Sequence, residues 1–144
     1  MQVHQILNAK SDNTVVTIPP GTTVAAAAEL LSTRRIGAII VSADGKVPAG
    51  ILSERDIVRE LGRRGPSCMS ELVDDMMTKT LISCARNDAA DAVLTKMTDG
   101  RFRHMPVMEG DEMVGLISIG DVVKARLAEL SMEKQALEGM IMGH

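Results

Sequence analysis

Apolar residues in the first half of the chain form three short runs and two segments with helical spacing. The runs at residues 14–18, 38–41 and 47–52 are rich in β-branched residues, which favour strands, and the first of them suits a strand or an extended segment. The turn around residues 43–46 predicts that the second and third runs pair as a hairpin. Helical spacing is carried by Val24, Ala27, Ala28 and Leu31 in one segment and by Ile57, Val58 and Leu61 in the other. The pattern predicts a β-α-β-β-α unit, with Thr22 or Thr23 capping the first helix.

The same order returns in the second half of the chain. Residues 81–84 and 104–108 predict strands. A helix is predicted between these two strands, and Asp88 and Asp91 are predicted to cap it. A repeat of about 60 residues buries too little surface to be stable alone, so we expect the two sheets to pack together about a pseudo-two-fold axis with two equivalent clefts. The predicted fold class is therefore α/β (α+β). The predicted divisions are a first repeat at 1–62, a linker with one short helix at 63–79, a second repeat at 80–128 and a C-terminal helical extension at 129–144.

The last predicted helix continues beyond the length that one repeat needs. Its apolar stripe consists of Val123, Leu127, Leu130, Leu137 and Ile141, and Lys134 interrupts it. Two alternatives account for this stripe. It forms a short coiled contact with a second subunit, or it folds back on the parent domain.

One motif occurs at the same place in both repeats. Ser53 and Asp56 follow the first hairpin, and Ser118 and Asp121 follow the second. A hydroxyl, a carboxylate and free backbone N–H groups at a helix N-terminus suit a phosphorylated small molecule that carries hydroxyl groups. The alternative is a capping box, in which the same residues only satisfy the first N–H groups of the helix.

Composition narrows the classes of partner. The net charge is −3, Trp and Tyr are absent, and Phe102 is the single aromatic residue, so we expect no nucleic-acid partner. No apolar run approaches the ~20 residues that span a bilayer, and the first residues do not resemble a secretion signal. We therefore expect a soluble cytoplasmic protein without a membrane partner. Cys68 and Cys84 are isolated in sequence, which favours reduced thiols over a disulfide or zinc site.

The ordered motifs resemble a pair of CBS domains, the Bateman module. The resemblance rests on the two β-α-β-β-α repeats, on Gly-hydrophobic-hydrophobic-Ser-x-x-Asp in each, and on Arg103-His104-Met105-Pro106-Val107 before the second hairpin. It covers roughly residues 3–128. It implies a non-enzymatic regulatory module that binds AMP, ADP, ATP, NAD or S-adenosylmethionine between the repeats, with no obligatory cofactor and no metal.

The resemblance also implies residue roles. Asp56 and Asp121 would accept hydrogen bonds from ribose hydroxyls, because an ionised carboxylate only accepts. Ser53 and Ser118 would face phosphate at a helix N-terminus. The residues that enter each repeat would line the base pocket, namely residues 14–16 in the first and Thr80 to Ile82 in the second.

The two sites are not expected to be equal. By the same resemblance, Arg103 and His104 would bind phosphate in the second site, where the first site has Gly37 and Ala38. Arg55 is the cation that the first site offers in its own turn. In the second site, Pro106 follows Arg103 and His104 in the predicted strand. It lacks an N–H group, which would leave neighbouring backbone groups free to contact adenine. We expect the second site to bind nucleotide more strongly.

Three functions compete. The first is a ligand-sensing module, expected to be a homodimer, which reports to an unknown regulated protein. The second is an interaction or scaffold module without a functional ligand. The third is an enzyme, which the sequence opposes because no residue set resembles a nucleophile with its base.

Overall fold

The structure is a computed structural model that describes residues 1–10 and 12–141. Residues 142–144 of the predicted C-terminal extension lie outside this description. In chain order the elements are α1 (Val3–Ala9), β1 (Thr17–Ile18), α2 (Val24–Arg34), β2 (Ala38–Val41), β3 (Gly50–Ser53), α3 (Glu54–Arg64), a 3₁₀ turn (Pro66–Ser70), α4 (Val73–Met76), α5 (Ala90–Gly100), β4 (His104–Glu109), β5 (Glu112–Ser118) and α6 (Ile119–Ile141). This composition of helices and small sheets confirms the predicted α/β class.

The chain divides into two compact units. The first-repeat unit contains Thr14–Ile82 and Met108–Val114. The second-repeat unit contains Met1–Asn13, Ser83–Val107 and Gly115–His144. Each unit thus draws on separate stretches of the chain.

A three-stranded sheet forms the centre of the first-repeat unit. β1 runs parallel to β2 with Thr17 opposite Ile40, and β2 runs antiparallel to β3 with Ala38 opposite Ser53. A parallel pair needs a crossover connection, which α2 supplies. The second strand of the predicted hairpin begins at Gly50 rather than at residue 47. The residues before Gly50 belong to the loop between β2 and β3, in which the Asp44 carboxylate accepts the backbone N–H groups of Lys46 and Val47.

Aliphatic side chains fill the core of this unit. α2 begins where Thr23 Oγ1 accepts the N–H of Ala26 at 3.2 Å, which selects Thr23 over Thr22 as the cap. Burying an aliphatic side chain of this kind contributes about 1.5–3 kcal/mol to folding. The buried cluster consists of Ile18, Val24, Ala27, Leu31, Ile39, Val41, Leu52, Ile57 and Val73.

The first residues of the chain are helical and belong to the second-repeat unit. The N–H of Val3 donates to Asp88 O at 2.9 Å, and that of His4 donates to Arg86 O at 2.9 Å. The buried residues of α1 are Val3, Ile6 and Leu7. Lys10 directly follows α1. The contacts that hold α1 therefore also fix the position of the Lys10 backbone.

The helix α6 spans 23 residues, or about 35 Å at ~1.5 Å per residue. Val122 in its first turn is buried, whereas Leu127, Leu130 and Leu137 are 62%, 50% and 59% exposed. The continued helix is therefore confirmed, and the alternative in which its stripe folds back on the parent domain is wrong. Among the described residues, no helix has both the length and the apolar character that crossing a membrane requires.

Of residues 14–18, which suit a strand or an extended segment, Thr17 and Ile18 form β1. Three local predictions are wrong. The strand predicted at 81–84 is reduced to one bridge between Cys84 and Val107. Val58, predicted on the apolar face of α3, is 67% exposed because the buried position is the preceding Ile57. Asp88 does not cap α5, because the N-cap of this helix is Ala89. Its carboxylate instead accepts the N–H of Ala85 at 2.9 Å.

Candidate functional site

The turn between β5 and α6 brings Ser118 and Asp121 together. The N–H of Asp121 donates to Ser118 Oγ at 3.0 Å, and the N–H of Ser118 donates to Asp121 Oδ2 at 2.9 Å. Both side chains therefore lie at the N-terminus of the longest helix in the described chain. This end of a helix carries partial positive charge and favours anions.

The turn between β3 and α3 has the same geometry. The N–H of Asp56 donates to Ser53 Oγ at 3.2 Å, and the N–H of Ser53 donates to Asp56 Oδ2 at 2.9 Å. Ser53 Oγ also lies 2.9 Å from Asp56 Oδ2. The two motifs are equivalent in structure as well as in sequence.

Both turns form the reciprocal bonds of a capping box, so the capping interpretation holds at both positions. Capping does not exclude ligand binding, because a carboxylate has two oxygens with about four acceptor positions. In each turn the backbone N–H of the serine donates to Oδ2 of the aspartate and so uses one of its acceptor positions. The carboxylates are held in a fixed orientation and retain acceptor capacity.

The two carboxylates differ in the cation that accompanies each. Lys10 Nζ lies 3.0 Å from Asp121 Oδ2 and donates to Leu116 O at 3.1 Å. Arg59 Nη2 lies 2.9 Å from Asp56 Oδ1, one helical turn away. The Lys10 side chain is 27% exposed and the Arg59 side chain is 64% exposed. The second-repeat carboxylate thus has the more enclosed partner.

The electrostatics around Asp121 favour its ionised form. Burial alone raises the pKa of this carboxyl. Hydrogen bonds from the Ser118 backbone and from Lys10 outweigh burial, and the pKa is lowered from its ordinary value. Asp121 is therefore an anion at neutral pH, as an acceptor for sugar hydroxyls must be.

In each repeat, the residue before the hairpin accepts a backbone hydrogen bond from the first residue of the helix that follows the hairpin. The N–H of Ile119 donates to Arg103 O at 2.8 Å, and that of Glu54 donates to Gly37 O at 2.9 Å. Arg103 is exposed. The structure therefore places Arg103 beside the Ser118 turn, and it places Gly37, which has no side chain, beside the Ser53 turn.

The other predicted residues of the second hairpin lie on β4. His104 is half-buried, whereas Met105 and Pro106 are buried. The carbonyl of Pro106 accepts the N–H of Cys84 at 3.0 Å. The proline oxygen is thus engaged in the bridge to Cys84, and the predicted contact of its neighbours with adenine stays a prediction.

In the first-repeat unit, Ala38 is buried and Arg55 is exposed. Arg55 lines an open depression of about 370 Å³ on the outer side of α3, together with Glu54, Val58 and Arg59. Arg55 and Arg59, the ion-pair partner of Asp56, therefore lie on the same surface of α3. A role for Arg55 toward phosphate stays a prediction.

Thr80 and Ile82 lie in the extended segment that leaves the linker. Both are exposed, and Ile82 is 46% accessible. They belong to the first-repeat unit, whereas Ser118 and Asp121 belong to the second-repeat unit. Their predicted place in a base pocket stays a prediction.

Sequence reasoning missed Lys10 and Arg59. Arg59 follows Asp56 by three residues on a helix, and this spacing is a usable signal for an ion pair. Lys10 meets Leu116 across 106 residues of sequence, and nothing in its local pattern indicates that contact. Cys68 and Cys84 are both free and buried. The described part of the chain holds no cluster of three or more potential metal ligands.

These features define a class of protein, a two-repeat α/β module in which each repeat presents Ser-x-x-Asp at the start of its last helix. The CBS domain family model matches residues 10–63 and 73–128. The chain therefore belongs to the CBS-domain family, as the motifs predicted.

Individual relatives agree with the family. The chain is 37% identical over 125 residues to the CBS domain-containing protein CBSX3, mitochondrial, of Arabidopsis thaliana; the match covers 84% of this chain and 61% of that protein. The chain thus spans about three fifths of that relative.

Solved structures agree as well. The crystal structure of the CBS-domain containing protein ATU1752 from Agrobacterium tumefaciens is similar, with a TM-score of 0.82 and 41% identity over 88% of this chain and 99% of that one. The CBS domain pair of protein MJ0100, solved in complex with 5′-methylthioadenosine and S-adenosyl-L-methionine, has a TM-score of 0.77 at 19% identity, covering 90% of this chain and 98% of that one.

Proposed function

We propose that this protein is a non-enzymatic regulatory module that binds an adenosyl nucleotide such as AMP, ADP or ATP. The single observation that supports this most directly is the ionised, oriented carboxylate of Asp121 at the N-terminus of α6. A ribose diol offers two donors to such an acceptor, and phosphate is favoured at the same helix end. The fold also supports an adenosyl ligand, because the CBS domain pair of MJ0100 holds two adenosyl compounds.

We place the stronger site in the second repeat. The backbone of Arg103 is bonded to Ile119 beside the Ser118 turn, so this repeat offers a guanidinium at a position where the first repeat has Gly37. Guanidinium groups bind phosphate through charge-assisted hydrogen bonds. His104, Met105, Pro106, Thr80 and Ile82 complete the proposed set in this site, and Gly37, Ala38, Ser53, Arg55 and Asp56 form the weaker one.

Calorimetric titration with AMP, ADP, ATP, NAD and S-adenosylmethionine tests the proposal. The decisive variant is Asp121→Asn, which removes the charge but keeps an oxygen that caps α6. Asp99→Asn, an exposed carboxylate on α5, is its matched control. We expect saturable binding of a nucleotide that Asp121→Asn weakens at least tenfold while Asp99→Asn does not, since a hydrogen bond to a charged group contributes about 1.5–3 kcal/mol.

Two results contradict this assignment. Tight binding that survives Asp121→Asn and disappears in Asp56→Asn places the stronger site in the first repeat. Absence of binding by every compound, in protein whose circular dichroism shows it folded, means that both turns serve only as helix caps.

We also infer that the chain is a homodimer, and the scaffold function is the second candidate. The observation that favours it is the exposed stripe of α6, where Leu127, Leu130 and Leu137 lie open in the single chain. Apolar side chains at this spacing are typical of helices that pair. The regulated protein that would read the bound state stays unidentified, and a cytoplasmic location stays a prediction.

Sedimentation of Leu130→Glu/Leu137→Glu against wild type tests the homodimer. Gln135→Glu, an exposed change on the same helix that adds one negative charge where the double variant adds two, is the control. We expect wild type and Gln135→Glu to sediment as dimers at micromolar concentration and the double variant as a monomer. A wild-type monomer at that concentration, or a dimer in all three, removes the stripe as the interface.

A further inference from the structure

We propose that Lys10 makes the second-repeat site selective for adenosyl compounds that carry phosphate. The inference rests on the proposed function, and it concerns a residue outside both Ser-x-x-Asp motifs. Lys10 Nζ lies 3.0 Å from Asp121 Oδ2 and 3.1 Å from Leu116 O. The ammonium is therefore held on the carboxylate that the ribose hydroxyls are proposed to reach.

The position of Lys10 is built into the fold. It comes directly after α1, whose backbone is joined to Arg86 and Asp88 and whose apolar side chains are buried. Leu7 of the same helix lies against Gly115 at the beginning of the motif, since a Cβ placed on Gly115 would come within 3.0 Å of Leu7 Cδ1. The N-terminal segment is thus packed against the strand that leads into the site.

The charges of Lys10, Asp121 and the ligand phosphate determine which ligands the site favours. In the ligand-free protein, Lys10 and Asp121 form a neutral pair. A nucleotide that donates its ribose hydroxyls to Asp121 brings a phosphate on the same sugar, and an anion beside a carboxylate is repelled unless a cation lies nearby. The flexible four-carbon stem of lysine lets its ammonium turn from the carboxylate toward that phosphate.

The same charges disfavour other adenosyl compounds. Adenosine and 5′-methylthioadenosine offer the Lys10 ammonium no anion, so they gain nothing from its presence beside Asp121. S-adenosylmethionine carries a sulfonium and an ammonium against a single carboxylate, so its net charge is positive where that of a nucleotide is negative. We therefore expect the second-repeat site to prefer AMP, ADP, ATP or NAD to these three compounds.

The first repeat provides an internal comparison. Its carboxylate pairs with Arg59, which comes from the same helix and is 64% exposed. An exposed ion pair is screened by water and salt and contributes little selectivity. The discrimination for phosphate is thus assigned to the second-repeat site.

The experiment compares AMP with adenosine, which share base and ribose and differ in the phosphate. Titrations use the full chain as wild type, Lys10→Met and Lys10→Arg, with the exposed Lys46→Met as the matched control. Methionine keeps the length of the side chain and removes its charge. We expect wild type to bind AMP at least about tenfold more tightly than adenosine, by the size of a charge-assisted hydrogen bond. Lys10→Met should lower this ratio about tenfold and leave the part that Arg103 supplies, while Lys10→Arg and Lys46→Met retain the wild-type ratio.

Several results would overturn the inference. If Lys10→Met weakens AMP and adenosine by the same factor, Lys10 has a structural role only. If Lys10→Met leaves the ratio unchanged, or if wild type binds adenosine as well as AMP, the lysine does not select for phosphate. If wild type binds neither AMP nor adenosine nor S-adenosylmethionine, the proposed function itself fails. Raised salt gives a second readout, because it should lower AMP affinity in wild type more than in Lys10→Met.

Discussion

The backbone N–H of Ile119 donates to the carbonyl oxygen of Arg103 at 2.8 Å. This bond joins the first residue of α6 to the residue before β4. Its counterpart joins Glu54 to Gly37 at 2.9 Å, so the backbone arrangement is the same in both repeats. The chemical difference between the two proposed sites therefore lies in their side chains.

Replacing Arg103 should weaken the second site without unfolding it. Arg103 holds Ile119 through its carbonyl, which Arg103→Ala retains, while the exposed guanidinium is lost. We expect affinity for ADP to fall about tenfold, in keeping with one charge-assisted hydrogen bond of ~1.5 kcal/mol. Calorimetry measures it, with Arg34→Ala at the exposed end of α2 as the control. Equal ADP affinity in Arg103→Ala and wild type would contradict the assignment.

Asp121 should contribute a pH-dependent part of the stability. Its pKa is lowered in the folded protein, so the stabilisation is present above the unfolded pKa of about 3.9 and is lost as the pH falls through the folded value. At pH 7, Asp121→Ala should cost about 1 kcal/mol, the usual size of a lost cap.

Urea unfolding of wild type and Asp121→Ala between pH 7 and pH 3 measures this effect. The difference in the free energy of unfolding should be constant at neutral pH and should shrink below about pH 4. Asp99→Ala is the control for removing a carboxylate. A difference that grows as the pH falls would mean that the folded pKa is raised instead.

The glycine that opens the first motif should not tolerate a side chain. A Cβ at Gly50 would collide with Met77 Sδ and lie 3.0 Å from the backbone oxygen of Thr78. That oxygen is bonded to the N–H of Ile51, so it cannot move without breaking the bridge to the linker. We expect Gly50→Ala to cost about 1–3 kcal/mol, as overpacking does.

Gly62→Ala is the matched control for this change. Gly62 lies within α3, and a Cβ there meets no atom within 4 Å. This substitution should stabilise the protein by about 0.5–1 kcal/mol, because alanine favours a helix over glycine. Thermal unfolding of both variants tests the pair, and equal melting temperatures would contradict the steric argument.

The thiol of Cys84 should be nearly unreactive in the native protein. Burial is the main cause that raises the pKa of this thiol to about 11, with a smaller contribution from Asp88. Since the thiolate is the reactive form, alkylation at pH 8 should be about 100-fold slower than for an ordinary cysteine. Mass spectrometry of the Cys84 peptide after iodoacetamide treatment, with and without urea, measures the rate. Rapid native labelling would contradict the buried position.

Much of the local structure could be predicted from sequence because short-range interactions determine it. Thr23 caps α2 through a residue three positions away, and Ser53 and Ser118 engage their aspartates at the same spacing. Such bonds form whenever the intervening residues turn into a helix. Predictions made from apolar runs alone were weaker. Residues 14–18 suited a strand by composition, yet only Thr17 and Ile18 found a partner strand.

The sequence by itself determined the repeat, the capped turns and the family, since these depend on residue types at fixed local spacings. Tertiary structure alone decided that α1 packs in the second-repeat unit and that Lys10 reaches Asp121. It also decided that Leu127 and Leu130 remain exposed. The physical reason is that these features depend on contacts between residues far apart in the chain, and an apolar or charged residue has the same local pattern whether or not a distant partner covers it.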